Sequence, residues 1–137
     1  MTDGLLPARA LDHVGIAVSG RVAPLAALLG DHPRNLVHMP SGVVVARFGP
    51  EERLELVAAG RPGSPIERFL ERRGAGLHHV ALQVDEPLGD LVPRLEAADV
   101  ELAGAVEPSS DGRPSLFLHP SSTGGVLVEL VEGPRRA

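Results

Sequence analysis

An internal repeat is the strongest constraint on what this chain can become. Residues 11–18, LDHVGIAV, and residues 77–84, LHHVALQV, agree at four of eight positions: Leu, His, Val and Val. A second pair follows in the same order, LELV at 54–57 and VELV at 128–131. The offset is 66 residues for the first pair and 74 for the second, so the second copy is somewhat longer. Two copies describe a duplicated module, whereas a solenoid needs at least three stacked units.

Each copy reads as strand, helix, then three strands. The His segments alternate aliphatic and other residues with period two, the signature of a half-buried strand. Helices are predicted over Arg21 to Leu29 and Pro87 to Ala98. In the second, Leu88, Leu91, Val92 and Leu95 recur on one helical face. Pro93 would break a helix interior, so that helix is started near Asp90 as N-cap, which puts Pro93 in the first turn. Pro24 invites the same argument in the first helix. Strands follow at Asn35–Met39, Gly42–Phe48 and Arg53–Ala58 in copy one, and at Val100–Ala103, Ser115–His119 and Gly125–Val131 in copy two. Between the copies, Ser64 is a fitting N-cap, Pro65 suits the first helical position, Glu67 completes a capping box and Gly74 stops the helix. The expectation is a single α+β domain over 1–137. It holds βαβββ modules at 10–60 and 76–133, joined by a linking helix at 64–74.

Alternation decides which way the polar residues face. Val14, Ile16 and Val18 share one face of the first strand; His13, Gly15 and Ala17 share the other. In copy two, Val80, Leu82 and Val84 oppose His79, Ala81 and Gln83. Glu55 and Glu129 likewise point away from their aliphatic neighbours. Each module therefore presents one His and one Glu, and pairing the modules about a pseudo-twofold would gather His13, Glu55, His79 and Glu129. Two imidazoles and two carboxylates suit a divalent ion of borderline hardness: Co, Mn, Ni, Fe or Zn. A lone strand His is more often packed or exposed than a ligand, and an isolated Glu often faces solvent. Four residues repeating in one order outweigh that reading. Among the other histidines, His78 is assigned to packing, His119 to the site or a turn, and His32 and His38 to the surface. Arg72-Arg73 and Arg135-Arg136 are expected to be solvated.

Composition removes competing chemistries. There is no cysteine, which excludes disulfides, cysteine–zinc sites and thiol catalysis. All thirteen basic residues are Arg, so a lysine Schiff base and a P-loop are excluded. A formal charge of −5 and only three aromatic rings, all Phe, speak against nucleic acid as partner. No apolar run reaches the roughly 18 residues of a membrane-spanning helix. Met1 to Ala10 carries Asp3 and no basic n-region, so it is not read as a secretory signal. A cytoplasmic protein with a small-molecule substrate is expected.

At the quoted residues the chain resembles the vicinal oxygen chelate superfamily, which includes glyoxalases, bleomycin-resistance proteins and dioxygenases. These are paired βαβββ modules forming a curved mixed sheet around a metal site. Within the superfamily the resemblance is nearest to the methylmalonyl-CoA epimerases. It is carried by LDHVGIAV at 11–18, LELV at 54–57, SPIERFLERRGAGLHHVALQVDE at 64–86 and LFLHPSSTGGVLVELVE at 116–132. The resemblance implies that His13, Glu55, His79 and Glu129 are metal ligands, with Co2+ or Mn2+ favoured over Ni2+, Zn2+ or Fe2+. It implies an acyl-CoA substrate, loss of an α-proton to give a metal-stabilised enolate, and a homodimer. Some epimerases carry a second carboxylate where this chain has Val45, which leaves Glu129 as the carried-over candidate base. Ala26-Ala27-Leu28 stands where relatives usually have an aromatic, and Ser121 where they have a lysine.

Three other readings stay open. A glyoxalase-like isomerase or lyase could use the same ligands. A ring-cleaving dioxygenase would use two His and one carboxylate on iron. A non-catalytic binder of the same fold would need no metal set.

Overall fold

The computed structural model describes residues 4–19 and 24–134. Arg21, where the first helix was expected to start, lies outside the described residues, as do Met1–Asp3 and the Arg135-Arg136 pair. The chain divides into two compact units. One is residues 13–78; the other is residues 4–12 together with 79–134. The division falls inside strand β1 (Ala8–Ala17) and inside strand β5 (Gly76–Val84).

In the first unit, β1 leads to helix α1 (Pro24–Leu29), then to strands β2 (Arg34–His38), β3 (Val43–Phe48) and β4 (Leu54–Ala59), and to helix α2 (Pro65–Arg73). The strand order is β2-β3-β4-β1. β3 runs antiparallel to both β2 and β4, and β4 runs parallel to β1. Both faces of this sheet carry an apolar layer. Val18, Ala26 and Phe48 pack with Ile16, Leu54 and Leu56 on the face that α1 covers. Ala17, Val45, Val57 and Ile66 pack with Phe69 and Leu70 on the face that α2 covers. The second layer includes Ala17 from the face the sequence assigned to His13, so that face is as buried as the aliphatic one. Helix α2 therefore contributes to this unit's core as well as connecting the copies.

The ends of α2 follow from its sequence. Ser64 Oγ accepts from the Glu67 amide at 3.4 Å, and Pro65 fills the first position, where no donor is needed. Gly74 adopts φ 75° and its amide donates to the Leu70 carbonyl, a conformation that favours glycine. The capping box is only half formed, because the Ser64 amide donates to the Arg61 carbonyl instead of the Glu67 carboxylate.

The second unit repeats the plan. β5 is followed by helix α3 (Leu88–Ala97) and strands β6 (Glu107–Pro108), β7 (Pro114–Leu118) and β8 (Val128–Glu132). The order β6-β7-β8-β5 mirrors the first sheet, again with a parallel pair at β8/β5 and antiparallel pairs elsewhere. Leu88, Leu91 and Leu95 of α3 bury against Val84, Leu116, Leu118 and Leu130. Each such leucine is worth roughly 1.5–3 kcal/mol when fully buried.

Two expectations fail here for stated reasons. Helix α3 begins at Leu88, not near Asp90, so Pro93 lies inside it. Its first amide is satisfied from a distance: the Leu88 N–H donates to Glu132 Oε2 at 2.8 Å. A carboxylate from the end of β8 thus does the work assigned to Asp90. The strand expected at Val100–Ala103 is a single bridge, Leu102 opposite Leu118, held by Ala103 N–H to Phe117 O and His119 N–H to Glu101 O. Gly104, at φ 109°, then turns the chain away, and the edge strand forms later as the two-residue β6. Among the described residues, no helix is long and apolar enough to cross a membrane.

Candidate functional site

In each unit the parallel strand pair places a histidine beside a glutamate. In the first, β1 and β4 set Gly15 opposite Glu55, and His13 leaves the same face two residues earlier. His13 Nε2 lies 3.5 Å from Glu55 Oε2. In the second, β5 and β8 set Ala81 opposite Glu129, with His79 two residues earlier. His79 Nε2 lies 3.3 Å from Glu129 Oε1. The small residues Gly15 and Ala81 leave the room each pair needs. All four side chains are buried, at 1–5% residue exposure, which overrules the solvent-facing reading for each.

These separations exceed the ordinary 2.7–3.2 Å of an N–H···O hydrogen bond. Two ligand atoms that share one ion, at bond lengths near 2.1 Å, stand about 3.0–3.4 Å apart; the His79–Glu129 separation falls in that range, and the His13–Glu55 separation of 3.5 Å lies just beyond it. Two buried carboxylates, each next to an imidazole, are costly to desolvate without positive charge nearby. Each pair therefore offers donors of the kind a divalent ion takes. The His79 ring also meets Phe117 edge-on at 5.5 Å, which fixes its plane.

The first unit holds a further group that the sequence reading passed over. Arg47 of β3 is register-opposite Glu55 and shares its face. Its Nη2 lies 3.6 Å from Glu55 Oε2, so that oxygen sits between His13 and a guanidinium. The signal was present: Val43, Val45 and Arg47 alternate with Val44, Ala46 and Phe48, so the arginine interrupts a buried aliphatic row. Val45, where some epimerases carry an acid, is buried in the layer beneath α2.

A second network missed by sequence lies next to His13 along the chain. Asp12, fully buried, receives both terminal nitrogens of Arg113 and the Gln83 side-chain amide. Arg113 Nε also reaches Asp111. Burial alone would lower the Arg113 guanidinium, but hydrogen bonds and charge from Asp12 and Asp111 outweigh it and hold it above its ordinary value.

The remaining histidines fall as expected or take the plainer alternative. His78 packs edge-on against Phe69 at 4.8 Å. His119 is exposed and caps the turn at Pro120–Ser122, accepting from the Ser121 amide. His32 and His38 are exposed, as are Arg72 and Arg73. A hollow of about 440 Å³ opens beside the start of α3, lined by Val84, Pro87, Arg113 and Glu132 among others. None of the four candidate ligands lines it. Its acids are engaged, Asp85 with Arg9, Glu86 with Arg94 and Glu132 with the Leu88 amide.

Paired βαβββ modules, each with a buried His–Glu pair on parallel strands, define a protein of the vicinal oxygen chelate class. Comparison with known proteins refines this. The chain is 40% identical over 128 residues to the ethylmalonyl-CoA/methylmalonyl-CoA epimerase of Cereibacter sphaeroides, spanning 88% of this chain and 95% of that one. The crystal structure of methylmalonyl-CoA epimerase from Mycobacterium tuberculosis superimposes with a TM-score of 0.81 at 29% identity, covering 98% of this chain and 94% of that one. A methylmalonyl-CoA epimerase in complex with methylmalonyl-CoA and NH4+ gives 0.78 at 26% identity, over 92% and 95%. No family model matches the chain. The chain belongs to the methylmalonyl-CoA epimerase family.

Proposed function

We propose that the protein interconverts the two C2 epimers of methylmalonyl-CoA, with His13, Glu55, His79 and Glu129 holding one divalent ion, Co2+ or Mn2+ in preference to Ni2+, Zn2+ or Fe2+. The observation that carries this is the repeated buried His–Glu pair, set side by side at 3.3–3.5 Å by the same parallel register in both units. Family membership supports the substrate, and a relative bound to methylmalonyl-CoA supports an acyl-CoA ligand.

The chemistry asks for two things. The α-proton lies between a thioester and a carboxylate, so negative charge spreads onto their oxygens when it leaves. A divalent ion bound by the four ligands supplies positive charge next to those oxygens. The proton itself must be taken from one face and returned to the other. Glu129 is the proposed base, in addition to its ligand role. Val45 offers no proton-carrying group, so return of the proton falls to another donor at the site. The protein is further inferred to act as a homodimer, to be checked by light scattering.

The deciding experiment follows loss of the α-proton of methylmalonyl-CoA in D2O with Mn2+ or Co2+ added and EDTA as control. Metal-dependent exchange with loss of chirality is expected. Absence of exchange above the metal-only background, in protein that binds metal, would move the reading to a glyoxalase-like isomerase or lyase, or to a non-catalytic binder.

A further inference from the structure

The buried cation beside Glu55 is not explained by metal binding alone. Positive charge next to a ligand carboxylate weakens the hold on a divalent ion, and a guanidinium is expensive to bury. Apart from His13 and Glu55, that face is apolar where Val45, Val57 and Ala17 lie alongside and pack without polar atoms. Yet Arg47 is 7% exposed, its Nη1 is fully enclosed, and its Nη2 is turned to Glu55 Oε2. The chain has no lysine, so the choice of arginine says little; the position is what requires an account.

Charge counting gives one. On the reading proposed above, a divalent ion and Arg47 bring three positive charges, and Glu55 and Glu129 bring two negative ones. The surplus is one positive charge, which a single substrate carboxylate cancels. Without Arg47 the metal and its ligands would already be neutral, and a substrate carboxylate would enter uncompensated. We propose that Arg47 is the specificity residue of the site, and that its guanidinium donates to the free carboxylate of the acyl group. The protein then selects 2-substituted malonyl thioesters over thioesters that lack the carboxylate. The end turned to Glu55, Nη2, is the donor that would meet the substrate carboxylate. This rests on the acyl-CoA reading and deepens it.

The test compares affinities of the Mn2+-loaded protein for methylmalonyl-CoA and for propionyl-CoA, which differs only by the missing carboxylate. Wild type is expected to prefer methylmalonyl-CoA by about tenfold or more, the scale of a charge-assisted hydrogen bond. Arg47→Gln is expected to abolish most of that preference, to leave propionyl-CoA binding within about twofold, and to keep or tighten Mn2+ binding, because the electrostatic opposition is gone. Arg47→Lys keeps the charge without the fork and should retain part of the preference; it carries the test if the Gln variant does not fold. A preference unchanged in either variant overturns the proposal. So does parallel loss of both thioesters and of Mn2+, which would make Arg47 a support for Glu55. A wild type without metal-dependent exchange sinks the epimerase reading itself, a result separate from either outcome at Arg47.

Discussion

Arg113 clasps Asp12 across 101 residues of sequence, Nη1 to Oδ1 at 2.8 Å and Nη2 to Oδ2 at 3.0 Å. Both side chains are withdrawn from water. Removing one partner strands the other as a buried charge. Arg113→Met is therefore expected to cost about 3–5 kcal/mol, and Asp12→Asn a similar amount. The double replacement Asp12→Leu with Arg113→Met should cost less than either alone, because the charge it leaves behind, Asp111, is partly exposed and not fully buried. Urea unfolding of the three variants measures this, and a double variant as unstable as the sum of the singles would refute it.

Stability should fall at acid pH through one carboxylate of this network, Asp111, and through a separate one, Glu86. Burial pushes the Asp111 carboxyl up, but hydrogen bonds from Ser109 and Arg113, with the Arg113 charge, more than reverse it and leave it below 3.8. The Arg94 side chain holds Glu86 below 4.5 by hydrogen bonding and charge against a smaller desolvation. Groups depressed in the folded state stabilise it above their unfolded values and lose that contribution as pH falls through the folded ones. The urea midpoint should hold at neutral pH and drop below about pH 4, where unfolded Asp and Glu begin to bind protons. Asp111→Asn should flatten that acid limb, and an unchanged limb would show that other carboxylates govern it.

The ligand and base roles separate by variant. Glu129→Gln should slow α-proton exchange by about a hundredfold or more, the range ascribed to a positioned acid or base. His13→Ala, His79→Ala and Glu55→Ala should each weaken Mn2+ binding by about tenfold or more, since even outer partners of a metal ligand have effects of that size. Mn2+ electron resonance reads the binding. Full Mn2+ affinity in His13→Ala together with His79→Ala would exclude the proposed ligand set.

Helix ends provide a check on the fold. Ser64→Ala should cost about 1 kcal/mol by removing the α2 cap. Glu132→Ala should cost a similar amount, because Glu132 accepts from the first amide of α3. Asp90→Asn, in contrast, should change stability by about 0.5 kcal/mol or less, since it keeps only a first-turn dipole contribution. Denaturation of the three variants ranks them, and an Asp90 effect larger than that of Glu132 would contradict the observed start of α3.

What could be read from sequence was what repeats or is local. The His13 and His79 strands, the Glu55 and Glu129 strands and both ends of α2 announce themselves through period-two alternation or neighbouring cap residues. The partnership of His13 with Glu55, and of His79 with Glu129, followed because each module presents the same two groups on the same side. The start of α3 was misplaced because its cap is Glu132, far along the chain, while Asp90 stood conspicuously close. The edge strand of copy two was misplaced because Leu102 pairs once and Gly104 then redirects the backbone. Arg113 and Asp12 gave no local sign at all. Arg47 did give one, an arginine within an aliphatic strand, but thirteen arginines in the chain make any single one easy to overlook.

The parallel pairing of β1 with β4, and of β5 with β8, bears on how the protein comes to exist. Parallel neighbours cannot be joined by a tight turn, so the chain must travel through a helix and two further strands before each histidine meets its glutamate. Such non-local closures are slow and gain nothing until they are complete. Each His–Glu pair is thus among the last contacts its unit can make. On the proposed ligand set, metal capture would report that folding has finished, and an ion in the medium would draw the late steps forward by mass action instead of seeding the early ones.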